Sequence, residues 1–279
     1  MPAGAGSAKR LGPRGLVADP APMAPAQAPL VPGPTGPRVQ TRSTAGNNRP
    51  GASPVAGLAS AAAANGTSLV EVLQGVHGGS CPGELNFHCH TLHSDGSLKP
   101  EDLASQAADL GLRHLAITDH HSTAALAPAW QTLERLGDQG STVPRLWSGI
   151  EISCLLEGCL VHVLGLDFDP SAPDLEPYVQ GQAPVGQALR AEQVVERLHG
   201  AGGLALLAHP GRYRKPFSSL IDAAAVLGFD GAEAYYDYAM APSWQPTPLV
   251  CEAIASQLEK LGLLRSCGTD THGLALHGR

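Results

Sequence analysis

From Leu85 onward, short apolar runs alternate with stretches whose apolar residues recur at helical spacing. That is the pattern of βα units around a largely parallel sheet. The runs predict strands over residues 86–89, 114–118, 146–153, 160–166, 204–208, 231–235 and 264–267. Between them the spacing predicts a helix starting at 99–101, capped by Ser97 with Pro100 in its first turn, and further helices over 122–136, 186–199, 218–227 and 246–261. Gly200, Gly228 and Gly262 stand where left-handed caps would end the last three. Seven strands suit a barrel. The alternation breaks once, because Glu151 and His162 lie on consecutive strand-like runs separated by a turn, so an irregular barrel is expected there.

Composition divides the 279 residues unevenly. The first 65 or so are rich in Ala, Pro and Gly, hold no aromatic residue, and lack a hydrophobic period that could offset the entropy of ordering them. The expected division is a disordered tail over 1–70 and a folded domain over 71–279. Asp19 is the one acid before Glu71, against six basic residues. From Glu71 on, 24 acids face 12 basic residues, a formal charge of −12. Such a domain is a poor partner for long duplex DNA, which needs clustered Lys and Arg. A small anionic substrate held through metal is compatible with it. No apolar run approaches the roughly 20 residues that span a bilayer, and no secretory signal is visible. The reading is a cytoplasmic protein without membrane partners, or an organelle protein if the Ser-, Ala- and Arg-containing tail acts as a transit peptide. Six cysteines show no CxxC pair and read as reduced core residues; Cys154 and Cys159 bracket an expected hairpin turn and would face each other across it.

Candidate chemistry gathers at the ends of the apolar runs. LNFHCH ends on His88 and His90, HLAITDH on His120, RLWSGIE on Glu151, LVH on His162, GLALLAH on His209, and LLRSCGTDTH on Asp270 and His272; Asp95 follows in HSDG. If the runs are strands, all nine groups converge at one edge. His88 and His90, two apart on a strand, share a face and form a chelate. Mixed imidazole and carboxylate ligands suit zinc, manganese or iron. Taken singly, Asp95 reads equally as a turn residue, Asp270 as a cap and His209 as a loop residue. Asp119 reads as a cap or as an orienting group, His121 as a supporting or helix-starting residue, and His77, His93, His114, His199 and His277 as structural or solvated. Arg212, with Arg214 and Lys215, is either solvated surface or a phosphate clamp. Tyr235, Tyr236 and Tyr238 either stack a base or pack.

FHCHTLHSDG, TDHH, GIE, VHVLG, AHPGRY and GTDTHG, in this order, resemble the successive motifs of the polymerase and histidinol phosphatase (PHP) domain family, from Leu85 to the C-terminus. The HSDG and HPGRY forms are similar to the branch of nucleoside bisphosphate phosphatases and 5'-3' exonucleases. The resemblance implies an α/β fold, a distorted (β/α)7 barrel, with three divalent ions (Mn2+, Zn2+ or Fe2+). His88, His90, Glu151 and Asp270 would hold the first ion. Glu151 would bridge to a second, with His162 and His209, and Asp95, His120 and His272 would hold the third. Hydrolysis of a small nucleotide phosphomonoester, or of the 5' end of a short oligonucleotide, by a hydroxide shared between two ions is the expected activity, with Glu151, Asp270 and Arg212 as catalytic residues. Two other readings stay open: a C–N hydrolase of the amidohydrolase type, and a non-catalytic, metal-stabilised module. The segment 168–207 is shorter than the substrate-covering insertion of exonuclease-type relatives.

Overall fold

The computed structural model describes residues 67–278 except Pro242; the greater part of the expected tail, 1–66, lies outside the described residues. The first element among the described residues is a helix, α1 (Leu69–Gln74), whose cap Ser68 exchanges hydrogen bonds with Glu71 in a capping box. The helix begins two residues before the boundary expected at Glu71. Its Leu69 and Leu73 are buried.

Among the described residues, eight strands form two sheets. β1 (Leu85–Asn86), β2 (His114–Ala116) and β3 (Arg145–Trp147) are parallel neighbours. The second sheet runs β4 (Gly149–Leu156), β5 (Cys159–Leu166), β6 (Leu204–Leu207), β7 (Gly231–Tyr235) and β8 (Leu264–Cys267) in chain order. β4–β5 and β5–β6 are antiparallel, whereas β6–β7 and β7–β8 are parallel. Isolated parallel bridges join the sheets beyond the strands, Cys89 to Thr271 and His120 to Glu151.

The run expected as one strand over 146–153 is two. Ser148 interrupts it, its hydroxyl donating to Phe168 O while its carbonyl accepts from Asp167 N, so β3 pairs with β2 and β4 pairs with β5. Gly149 is obligatory at the switch: a Cβ there would lie 2.5 Å from Ile117 O. Glu151 and His162 consequently sit inside a long hairpin rather than at strand ends. The register pairs Cys154 with Val161 and Cys159 with Leu156, so those two cysteines do not face each other; all six are free thiols.

The remaining helices are α2 (Pro100–Asp109), α3 (Leu126–Asp138), α4 (Ala191–Gly200), α5 (Phe217–Val226) and α6 (Pro248–Leu261). α2 has Pro100 in its first turn, but its cap is Lys99 without a side-chain bond, not Ser97. α3 starts four residues later than the spacing predicts, because His121 takes a left-handed φ of 52° and a turn from Asp119 to Ser122 intervenes. The period over 186–199 splits at Arg190, which is extended (ψ 138°) and bridges to Leu155. Gly202 and Gly228, rather than Gly200, take the left-handed φ after α4 and α5, and Gly262 does so directly as the cap of α6.

Each helix buries one stripe. In α6 the buried residues Cys251, Ile254, Ala255 and Leu258 recur at intervals of three and four. β2 divides its residues between two cores: Leu115, with Ile117 just beyond, packs under α2 and α3, while Ala116 joins the larger core with Phe87, Ile150 and Leu206. Among the described residues no helix is long and apolar enough to cross a membrane.

Candidate metal centre

His88 and His90 leave β1 on one face with Cys89 between them on the other, buried beneath α2 and α3. Both imidazoles are buried. The end of β8 closes against them. Phe87 N and His90 N donate to Cys267 O and Thr271 O, and Asp270 N donates to His88 O at 2.8 Å. Gly268 permits this approach, since a Cβ there would lie 2.2 Å from His88 Cβ. Asp270 then turns with φ 52° and His209 with φ 26°, so strained backbone collects at this edge.

Glu151 is the hub, with its side chain 1% exposed. Its Oε2 lies 3.1 Å from His88 Nε2, 3.1 Å from His90 Nε2 and 3.5 Å from His120 Nε2. The other oxygen, Oε1, lies 2.8 Å from His162 Nδ1 and 3.3 Å from His209 Nε2. Asp270 Oδ1 is 3.3 and 3.2 Å from the Nε2 atoms of His88 and His90. Asp95, on an exposed loop, has its carboxylate 3.2 Å from His272, 3.6 Å from His90 and 3.8 Å from His120. All nine sequence-predicted ligand residues are thus brought together.

Electrostatics follow from this crowding. Burial works against the His88 and His90 imidazolium forms, but the carboxylates of Glu151 and Asp270, with Glu233 at His88, outweigh it. They hold His88 well above the ordinary histidine range and His90 up to about 9. Burial likewise opposes ionisation of Glu151 and Asp270, yet the surrounding histidines keep both carboxyls well below their usual range. Many of these contacts lack hydrogen-bond geometry. Both ring nitrogens of His90, Nδ1 of His162 and of His209, and Oε1 of Glu151 are buried without a hydrogen-bond partner, an arrangement that costs free energy unless a cation satisfies it.

Donor atoms cluster within 4.8 Å of one another in three sets: His88, His90, Glu151 and Asp270; His120, Glu151 and His162; and His90, Asp95, His120 and His272. The first matches the set implied by the motif resemblance. The others differ, since His120 joins Glu151 and His162, and His90 joins the Asp95 set. Imidazole and carboxylate donors of this kind fit zinc, manganese or iron(II).

Supporting contacts show which residues the motifs did not reveal. Glu233, buried on β7, faces His88 Nδ1 at 3.1 and 3.2 Å and accepts from His209 N at 2.9 Å. Its signal in the sequence was a lone acid in the apolar run GAEAY. Asp119 accepts from Thr91 N, Thr91 Oγ1 and Ser94 Oγ at 2.6–2.7 Å, fixing the loop that carries Asp95. Tyr236 donates to Asp270 Oδ2 rather than merely packing, and Arg212 Nη1 donates to both. Tyr213 Oη accepts from His162 N. Tyr235 is buried, and Tyr238 Oη accepts from Gly211 N.

The other candidates stand apart. His121 bonds Ser153 Oγ, and burial together with His120 and His162 lowers its pKa to about 4. His114 accepts from Trp147 Nε1, His77 from Gly79 N, and His199 pairs with Asp230 at 2.9 Å. A cavity of about 370 Å³ opens over the centre, lined by His120, Glu151, His162, His209, Arg212, Tyr213, Asp270 and His272. No lysine lines it.

The PHP domain family matches residues 86–210. The 5'-3' exoribonuclease Rnm of Escherichia coli is 37% identical over 116 residues, covering 42% of this chain and 38% of its own. A 3',5'-nucleoside bisphosphate phosphatase of Chromobacterium violaceum is 34% identical over 118 residues, covering 42% and 39%. The chain therefore spans about two fifths of the length of these curated relatives. Among solved structures, one assigned as a metal-dependent phosphoesterase from Bifidobacterium adolescentis has the same fold, with a TM-score of 0.56 and 24% identity over 71% of this chain and 90% of that one. By this match and by the order of its motifs, residues 86–210 are similar to the PHP domain family.

Proposed function

We propose that this protein is a metal-dependent phosphoesterase acting on a small nucleotide phosphomonoester or on the 5' end of a short oligonucleotide. The observation that carries the reading is Glu151: one buried carboxylate with three imidazoles at one oxygen and two at the other. Such a group suits a carboxylate shared by two cations. The proposed site takes three ions, held by His88, His90, Glu151 and Asp270, by Glu151, His162 and His209, and by Asp95, His120 and His272, within a distorted (β/α)7 barrel. When bound, divalent ions supply Lewis acidity toward a phosphoryl oxygen and activate water at neutral pH.

The chain's own residues do the rest. Tyr236 and Arg212 both occupy Asp270 Oδ2, leaving Oδ1 directed at His88 and His90. Arg212 is 44% exposed and lines the cavity, so its other N–H groups are available to a phosphate entering there. The cavity lies within the range of small-ligand pockets, which supports a single nucleotide or strand end over a duplex. The relatives named as an exoribonuclease and a bisphosphate phosphatase support the same substrate class.

The test is hydrolysis by the purified chain, loaded with manganese or zinc, of p-nitrophenyl phosphate, nucleoside 3',5'-bisphosphates and 5'-phosphorylated oligonucleotides of a few residues. Release of phosphate or mononucleotide is expected. No turnover of any of the three by fully loaded protein would overturn the proposal.

A further inference from the structure

We propose that Glu233 is a positioning residue of the metal centre, one that sets the tautomer of His88 and the backbone of His209 at the same time. This rests on the reading of His88 and His209 as ligands. Glu233 has no solvent exposure, and burying a carboxylate there is costly without compensation. Its compensation is specific. Both oxygens lie within 3.2 Å of His88 Nδ1, so the proton on Nδ1 is held and Nε2 is the nitrogen that would give up its proton to a cation. That Nε2 points at Glu151 Oε2 and Asp270 Oδ1, which is where a cation would sit. A ligand imidazole anchored through its far nitrogen has its ring plane, tautomer and basicity fixed.

The second bond makes the residue more than a partner for one ring. Glu233 Oε2 also accepts the backbone N–H of His209, whose φ of 26° and ψ of 60° are unusual for a residue with a side chain. The bond offsets strain at the point where the chain leaves β6, and it directs His209 Nε2 to Glu151 Oε1 at 3.3 Å. One carboxylate on β7, a strand that contributes no ligand itself, therefore governs two residues that address opposite oxygens of Glu151.

Glu233→Gln keeps the shape and removes this control. The amide presents N–H as well as oxygen, and an N–H facing Nδ1 supports the tautomer with its proton on Nε2, which cannot bind a cation. Zinc affinity, measured by competition with a chromophoric chelator, is expected to fall 10- to 100-fold. In the zinc-loaded parent, long-range 15N–1H NMR should find the His88 proton on Nδ1, and this signal should shift or vanish in Glu233→Gln. Zinc binding within twofold of the parent, with the Nδ1 proton unchanged, would overturn the proposal. Should the variant not fold, the parent alone decides: a His88 proton on Nε2 in the zinc-loaded protein is equally fatal. A parent that takes up no zinc would instead sink the metal reading on which this stands.

Discussion

Tyr236 donates its hydroxyl proton to Asp270 Oδ2 at 2.6 Å, and this bond decides which oxygen of Asp270 faces the histidines. Burial first, and then Asp270, push the tyrosine well above its ordinary pKa, so it stays a donor throughout the working pH range. Tyr236→Phe keeps the ring and removes the bond. A hydrogen bond to a charged group contributes about 1.5–3 kcal/mol, so zinc affinity should drop roughly 10-fold, read by chelator competition, with Arg212 as the remaining restraint. Unchanged affinity would mean that Arg212 alone suffices.

Glu151→Gln should be the most damaging conservative change at the centre. It removes the charge that five imidazoles share. Metal content by elemental analysis should fall below that of the parent, and phosphoesterase rate should fall at least about 100-fold, on the scale of losing an electrostatic stabiliser. Parent stoichiometry together with parent rate would refute a shared carboxylate. As the control, His199→Ala removes a partly exposed pair with Asp230 and should leave the rate within about twofold, at a stability cost near 1 kcal/mol or less.

Asp119→Ala should act through the loop rather than through a ligand. Three donors in the Thr91–Ser94 segment lose their acceptor, and buried unsatisfied groups cost about 1–3 kcal/mol each. Thermal unfolding should show a loss of about 3 kcal/mol or more. Stoichiometry should fall by about one ion as Asp95 loses its fixed position, by the loop-mediated logic of supporting contacts. Full metal content with unchanged melting would contradict this role.

The metal-free protein should lose stability as pH rises from about 6.5 to about 9. His90 is held up to about 9 in the folded state, above the unfolded value of about 6.5. Its contribution is therefore complete below pH 6.5 and disappears as pH climbs through the folded value. The size is on the order of 1–3 kcal/mol. Glu151 and Asp270, held low, act in the opposite sense and withdraw their contribution on acidification below about pH 4. Zinc should abolish the alkaline loss and release protons at pH 7, since ligand imidazoles must be neutral. Melting temperature against pH, with and without zinc, and a proton-release titration check both halves. A flat metal-free profile between pH 6.5 and 9 would show that the carboxylates do not hold the proton.

Deleting residues 1–66 should leave metal content and rate intact. Deleting 1–75 should not. The longer deletion removes Leu69 and Leu73, both buried in the core, and also Gln74, whose carbonyl accepts from Arg265. Burial of two leucines is worth about 3–6 kcal/mol, so the melting temperature of the second variant should fall sharply. Equal stability of the two would place the start of the folded unit after α1.

Much of the centre was legible because its residues sit in short motifs with a strand period. His88 and His90 alternate around Cys89, and the buried and facing positions follow directly. What was hidden depends on partners distant in sequence. Glu233 is a single acid in GAEAY, and nothing local says that His88, 145 residues earlier, needs it. Tyr236 stands beside two other tyrosines with identical local signals, and only the path of the chain selects it to meet Asp270. The split between β3 and β4 was masked because apolar residues continue across Ser148, whose bonds to Asp167 and Phe168 interrupt the strand. Arg190 broke a helical period for a similar reason, through its bridge to Leu155.

The bonds that tie Asp270 and Thr271 to His88 and His90 also order events during synthesis. Domains tend to fold from the N-terminus as the chain emerges, yet here β1, besides its early neighbour β2, has a second neighbour some 180 residues later, a contact of high sequence separation that is slow to form. Until His272 has left the ribosome, His88 and His90 lack the carboxylate of Asp270 and the backbone that holds them. A nascent chain would thus present two imidazoles that the Asp270 carboxylate does not yet face. The proposed metal centre would therefore be completed only when the segment carrying Asp270 and His272 docks.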